Sequence, residues 1–224
     1  MPLFLSSFPR SGNTLLRQML HAGWGLASGS VFSVDLGDNL PLIRASGHIE
    51  LCRVMVDGAE RLLNPHDLPL KTHLLPQFAD DRAIYILRDG RAACVSLWHF
   101  WQGSVSLEEI VKGQTPFGTW SDHLLAWTER AQIELLVRYE EIISHPGNVV
   151  GGLTNLFGPP LADPTAPLRD RADLATRDGR WVRERSDWRT HWSEALDDLF
   201  MHHNAPAFDR FYPQPPAPPR RACP

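Results

Sequence analysis

A strand, a tight loop and a helix occur in that order twice, and this pattern limits the possible folds more than any other feature of the chain. Leu3 to Phe8 reads as a buried strand and Pro9-Arg10-Ser11-Gly12 as turn chemistry. From Asn13 to Leu20 apolar residues then recur at helical spacing. The same order returns at Ala83 to Leu87, followed by Arg88-Asp89-Gly90 and a helical stretch through Ser96 to Phe100. A strand that feeds straight into a helix reaches its next strand by a crossover, so two such units imply a parallel sheet. Extended runs at Leu68 to Thr72 and Glu134 to Arg138 add strands, and Trp120 to Arg130 and Glu141 to Phe157 add helices. The expected class is α/β, a central parallel β-sheet flanked by helices.

At 224 residues, 43% hydrophobic and 21% charged, the chain suits one domain with a continuous core, expected over residues 1–212. Between Pro159 and Asp187 the composition shifts to Pro, Asp and Arg, which predicts an irregular excursion and a candidate lid. Asp187 is expected to cap a helix over Trp188 to His203, and residues 213–224, six of them proline, to form a disordered tail. With a net charge of -4 there is no global positive field, so neither nucleic acid nor an anionic membrane is an expected partner. No run approaches the roughly 18 apolar residues of a spanning helix, and the N-terminal apolar run is broken by Ser6, Ser7, Pro9 and Arg10. A cytoplasmic protein without membrane insertion is expected. Cys52, Cys94 and Cys223 lack zinc-type spacing and read as reduced thiols, and no histidine pair has ligand spacing, so no metal is expected.

A loop from the end of a parallel strand to a helix N-terminus gathers backbone N–H donors and the positive end of the helix dipole, which suits phosphate or sulfate. In Ser7 to Thr14, SFPRSGNT, Gly12 and Thr14 stand where G-x-x-x-x-G-K-[ST] has its second glycine and its hydroxyl residue. Ser7 replaces the first glycine, Asn13 replaces the phosphate-reaching lysine, and the cation has moved to Arg10, which disfavours ordinary ATP or GTP hydrolysis. In the second unit Arg88 is followed eight residues later by Ser96, an arginine fork plus a hydroxyl. Two anion-type loops at neighbouring strand ends suggest a ligand with two separate anionic groups. Between them falls Leu70-Lys71-Thr72-His73-Leu74, where His73, with an ordinary pKa of about 6.5, can accept a proton near neutrality. Lys71 is one of only two lysines among 22 basic residues.

Together these segments resemble the sulfotransferase family that uses 3'-phosphoadenosine-5'-phosphosulfate, PAPS, and releases 3',5'-adenosine diphosphate, PAP. PRSGNT (Pro9 to Thr14) resembles the family's P-K-S-G-T-T loop, LKTHL (Leu70 to Leu74) the segment of its catalytic histidine, and Ile84 to Phe100 its 3'-phosphate segment. FGTWSDHLLAW, LVRYEEIISHP and SDWRTHW follow in family order. The resemblance implies a three-layer P-loop-NTPase-like fold and sulfuryl transfer to a hydroxyl or amine of a small-molecule acceptor. His73 would be the general base, with Arg10 and Lys71 beside the transferring group, although Lys71 could instead point to solvent. The donor would be held by Arg10, Ser11, Gly12, Asn13, Thr14 and Leu15 at its 5' end and by Arg88 and Ser96 at its 3'-phosphate. Tyr139 would meet the adenine or pack in the core. Arg10 stands where the family has lysine and Leu15 where it has an aromatic. The late R-K-G motif is missing, with Arg183, among Arg180, Arg183 and Arg185, as its candidate replacement. The acceptor walls are expected from Trp24 to Asn64 and from Ser104 to Thr119, with Trp24, Phe32 and Phe117. Such a compact site is open enough for a bulky acceptor or calls for a partner subunit, as in a homo-oligomer. The other readings are a P-loop small-molecule kinase and a catalytically silent binding protein.

Overall fold

The computed structural model describes residues 2–33, 35–37, 39–79, 81–169 and 188–213. Five strands, β1 (Leu3–Ser7), β2 (Gly29–Ser30), β5 (Leu70–Thr72), β6 (Arg82–Leu87) and β7 (Gln132–Arg138), form one sheet in the order β2-β5-β1-β6-β7, every pairing parallel. A separate hairpin joins β3 (Arg53–Val56) to β4 (Ala59–Leu62) through Asp57 and Gly58, whose φ of 52° and 77° match the two-residue turn that the right-handed strand twist favours.

Side chains of β6 alternate between two cores. Ala83, Tyr85 and Leu87 face the layer of α3 (Gly90–Phe100), α4 (Leu107–Val111), α5 (Trp120–Arg130) and the C-terminal helix, where Trp120, Trp127, Phe200 and Phe208 are buried. Ile84 and Ile86 face α1 (Asn13–Trp24), α6 (Tyr139–Ser144) and α7 (Pro146–Phe157), with Leu16, Met19, Ile142 and Leu153 fully buried. This is the expected three-layer arrangement. Two short helices complete it, α2 (Leu40–Ala45) and α8 (Ala166–Arg169).

The register positions the site. Ser6 pairs with Thr72 and Ser7 with Ile86, so β5, β1 and β6 end level, and the segments that follow them emerge side by side on the C-terminal edge of the sheet. Crevices at that edge are where open α/β sheets bind ligands.

Two expectations are corrected. The helix expected over Glu141 to Phe157 is two helices, because His145 precedes Pro146 and adopts φ -139°, ψ 57° outside the helical region. In place of a helix over Trp188 to His203 there is a 3₁₀ turn, Trp188–His191, and then α9 (Glu194–Phe211), capped by Ser193, whose Oγ accepts from the Leu196 N–H. Asp187 lies outside the described residues, as do 170–186 of the expected lid, Arg183 among them, and the tail beyond Pro213. The start of that excursion is tied down: the N–H groups of Leu161 and Ala162 donate to the Gly23 carbonyl. No helix among the described residues is long and apolar enough to cross a membrane.

Candidate active site

The loop from β1 to α1 carries two left-handed backbone residues, Arg10 (φ 66°) and Gly12 (φ 100°), and only the second is a glycine. Gly12 is the N-cap of α1 and supplies no side-chain cap, so the first-turn N–H groups stay open to a ligand. It is also closely approached: a Cβ there would lie 2.6 Å from the Tyr139 ring. Asn13 does not reach outward as the lysine of a nucleotide-binding loop does. Its Nδ2 donates to the Leu5 carbonyl at 2.7 Å and to Ser7 Oγ at 3.5 Å, stapling the loop to β1. The Ser11 Oγ and Asn13 Oδ1 atoms are buried with no hydrogen-bond partner.

The loop from β6 to α3 is locked to the first by arginines. Arg88 donates from Nη1 to the Arg10 carbonyl at 2.7 Å, and its guanidinium lies 4.6 Å from the Tyr139 ring centre. Arg10 Nε donates to Ser96 Oγ at 3.4 Å, with its guanidinium 4.8 Å from the Phe100 ring centre. The N-terminus of α3, however, is occupied by the chain itself: Asp89 accepts from the N–H groups of Arg91 at 2.8 Å and Ala92 at 3.5 Å. The second loop therefore differs from the first, offering the expected Arg88 fork and Ser96 hydroxyl in place of an open helix N-terminus.

At the end of β5, Lys71 is 7% exposed and pairs with Asp35, so it does not point to solvent. Asp35 also accepts from Arg17 at 2.6 Å, and Arg17 donates in addition to Ser28 Oγ at 2.8 Å and His48 Nδ1 at 2.7 Å. Burial opposes the Asp35 charge, yet the two neighbouring cations outweigh it and hold its pKa below the usual carboxylate value. Two cations against one carboxylate leave a positive excess beside the cavity.

His73, half-buried, donates from Nδ1 to the Ser7 carbonyl at 2.8 Å. That bond assigns the proton to Nδ1 and leaves Nε2 as the basic nitrogen. Burial, and after it the charge of Lys71, pushes the imidazole pKa well below 6.5, so the ring is neutral at pH 7. Phe32 and Phe117 flank it with ring centres at 5.9 and 6.2 Å, and Trp101 stacks on Phe117 at 6.2 Å.

One cavity of about 750 Å³ brings together Arg10, Gly12, Asn13, Thr14, Leu15, Lys71, His73, Arg88, Ser96 and Tyr139. Ser11 is buried and not part of its wall. Tyr139, left open between adenine contact and core, both lines the cavity and packs over Gly12. Trp24 is core, its Nε1 donating to the Gly158 carbonyl, whereas Phe32 and Phe117 do line the cavity. Sequence reasoning missed Trp101, Arg189 and Tyr212, also in the wall, and did not single out Asp35 within the expected stretch from Trp24 to Asn64. For Arg189 a signal existed, since it lies within SDWRTHW.

Residues 1–193 match the model of the sulfotransferase domain family. Flavonol 4'-sulfotransferase of Flaveria chlorifolia is 26% identical over 71% of this chain and 56% of its own length, and sulfotransferase 1B1 of Mus musculus is 26% identical over 64% and 54%. The chain thus spans about half the length of these curated relatives. Mouse sulfotransferase SULT7A1, solved in complex with PAP, superposes with a TM-score of 0.58 at 20% identity over 90% of this chain and 83% of that one. Retinol dehydratase, solved with androsterone and PAP, gives 0.63 at 14% identity over 96% and 82%. The fold and the ordered motifs agree with the family match, and the chain belongs to the sulfotransferase domain family.

Proposed function

We propose that this protein transfers the sulfuryl group of PAPS to a hydroxyl or amine of a small-molecule acceptor, with His73 as general base. The observation that carries this reading is the placement of His73. Its ring is neutral, pinned through Nδ1, beside a cation and between aromatic walls, in the same cavity as the two arginine-bearing loops.

The residues fit a doubly anionic donor. The uncapped start of α1 offers backbone donors for the 5' end, and Arg88 with Ser96 offers a fork and a hydroxyl for the 3'-phosphate. When bound, PAPS supplies an activated sulfuryl group. His73 Nε2 would take the acceptor's proton as the new bond to sulfur forms. Arg10, Lys71 and the α1 N-terminus would stabilise charge growing on the leaving 5'-phosphate. A guanidinium keeps its proton (pKa above about 12), so Arg10 acts by charge and not as an acid. Phe32, Phe100, Trp101 and Phe117 suit a flat apolar acceptor. The kinase reading loses support because Asn13 is turned back onto β1.

The test is transfer of ³⁵S from PAPS to a panel of phenols and amines. His73→Ala should lower transfer by about 100-fold or more while leaving PAP affinity near wild type. Undiminished transfer by that variant would remove His73 from the mechanism.

A further inference from the structure

The general-base reading leaves one feature unexplained: a second histidine, fully buried, directly behind the first. His123 on α5 is 0% exposed and packs edge-on against Phe8, with ring centres 5.9 Å apart. Its Nε2 donates to the backbone carbonyl of His73 at 3.0 Å, and its Nδ1 accepts from the Tyr85 hydroxyl at 2.9 Å. Tyr85, 1% exposed, stands on β6, an interior strand between β1 and β7. Both ring nitrogens are thus committed, and the His73 carbonyl, which can only accept, settles that Nε2 carries the hydrogen and that Nδ1 takes the tyrosine proton.

The His73 carbonyl is an unusual target. The pairing of β5 with β1 ends at Ser6 and Thr72, so His73 is the first residue past the ladder, and its carbonyl has no strand partner. One helical turn beyond His123, Trp127 Nε1 donates to the next carbonyl, that of Leu74, at 2.9 Å. Thr72 Oγ1 takes the Leu74 N–H at 3.0 Å. Three side chains therefore replace the missing ladder where the chain must hold an imidazole still. A phenylalanine would pack against Phe8 as well as His123 does, so burial alone does not account for the histidine. The polar output of the Tyr85–His123 pair is a grip on His73.

We propose that His123, oriented by Tyr85, is a positioning residue for sulfuryl transfer: it fixes the backbone of His73 and through it the stance of the His73 imidazole. This rests on His73 being the general base. Burial lowers the His123 pKa to about 4, so the ring stays neutral and keeps its one N–H through the working range. Misplacing a reacting group by about 1 Å costs on the order of 100-fold in rate, enough for a backbone grip to matter.

The test compares wild type, His123→Gln, which keeps an N–H near the Nε2 position, and the double variant His123→Phe/Tyr85→Phe, which removes both polar partners together and so leaves no buried hydroxyl unpaired. The readouts are melting, PAP affinity by calorimetry, sulfation of 2-naphthol from PAPS, and the His73 tautomer by ¹⁵N NMR. The double variant should fold and bind PAP within about twofold. Its kcat should fall by about 10- to 100-fold at unchanged KM for PAPS, and His73 should lose its single Nδ1–H signature. His123→Gln should recover most of the rate. Wild-type kcat and an unchanged His73 tautomer in the double variant overturn the proposal. The NMR signature needs no acceptor and decides alone if 2-naphthol is not turned over. Should the double variant not fold, Tyr85→Phe is read in the same way, a shift of the His73 tautomer supporting the proposal and none overturning it. Retained activity in His73→Ala would instead defeat the general-base reading, and is told apart because it leaves the His123 grip on the carbonyl unaltered.

Discussion

The two strand–loop–helix units look alike in sequence, yet they present opposite surfaces to a ligand. After β1 the helix begins at Gly12, which has no side chain to spend on its own N–H groups. After β6 it begins at Asp89, whose carboxylate takes the N–H groups of Arg91 and Ala92. The first loop therefore offers backbone donors and a helix dipole, and the second only Arg88 and Ser96. A donor with two unlike anionic ends, a bridging phosphosulfate and a terminal phosphate, fits two unlike loops.

That difference sets the order of mutational effects. The largest is expected for Gly12→Ala: at φ 100° and 2.6 Å from the Tyr139 ring, a methyl group must displace Tyr139 or the loop. PAP affinity should fall by roughly 100-fold, about 3 kcal/mol, and 5'-AMP affinity with it, measured by calorimetry. Next is Arg88→Ala, which should cost about 2 kcal/mol, roughly 30-fold, toward PAP and much less toward 5'-AMP, because the loss belongs to the 3'-phosphate. Equal losses for both ligands would erase the assigned division between the loops.

Asp89→Ala removes a cap and no ligand group. It should lower stability by about 1 kcal/mol, seen as a fall in Tm of roughly 2–4 °C, with PAP affinity within about threefold of wild type. A loss of binding as large as that of Gly12→Ala would break the comparison. The smallest effect concerns pH. Lys71 helps depress the His73 pKa, so an anion at the first loop offsets that charge, favours imidazolium and raises the pKa. The acid limb of kcat should lie at higher pH than that of kcat/KM. By NMR titration of His73, 5'-AMP should reproduce the rise and 3'-AMP should not.

What was legible in the sequence was local. β1 and β6 are short, largely apolar runs that lead into turns, β5 is a short extended run, and Arg10, His73, Arg88 and Ser96 sit at fixed offsets from them, so fold class and cavity followed together. The Arg17–Asp35–Lys71 cluster did not follow, because its members lie 18 and 36 residues apart on α1, a loop and β5, and meet only through the β2-β5-β1 strand order. The place of His123 did not follow for a similar reason: its partners, Tyr85 and His73, are 38 and 50 residues away. The Asp57-Gly58 turn was legible by its residue types, but the hairpin it makes was not anticipated. In the second loop Arg88 and Ser96 were legible, but the role of Asp89, one residue after Arg88, as the helix cap was not.

The central claim is that one cavity holds the two phosphates of a PAPS-type donor in different ways. It is tested most directly by titrating the full chain calorimetrically with PAP, 5'-AMP, 3'-AMP and ATP with magnesium. The account predicts that PAP binds tightest, that removing either phosphate weakens binding by about tenfold or more, and that ATP with magnesium binds far more weakly than PAP. No heat with PAP, or ATP with magnesium binding tighter than PAP, would contradict it.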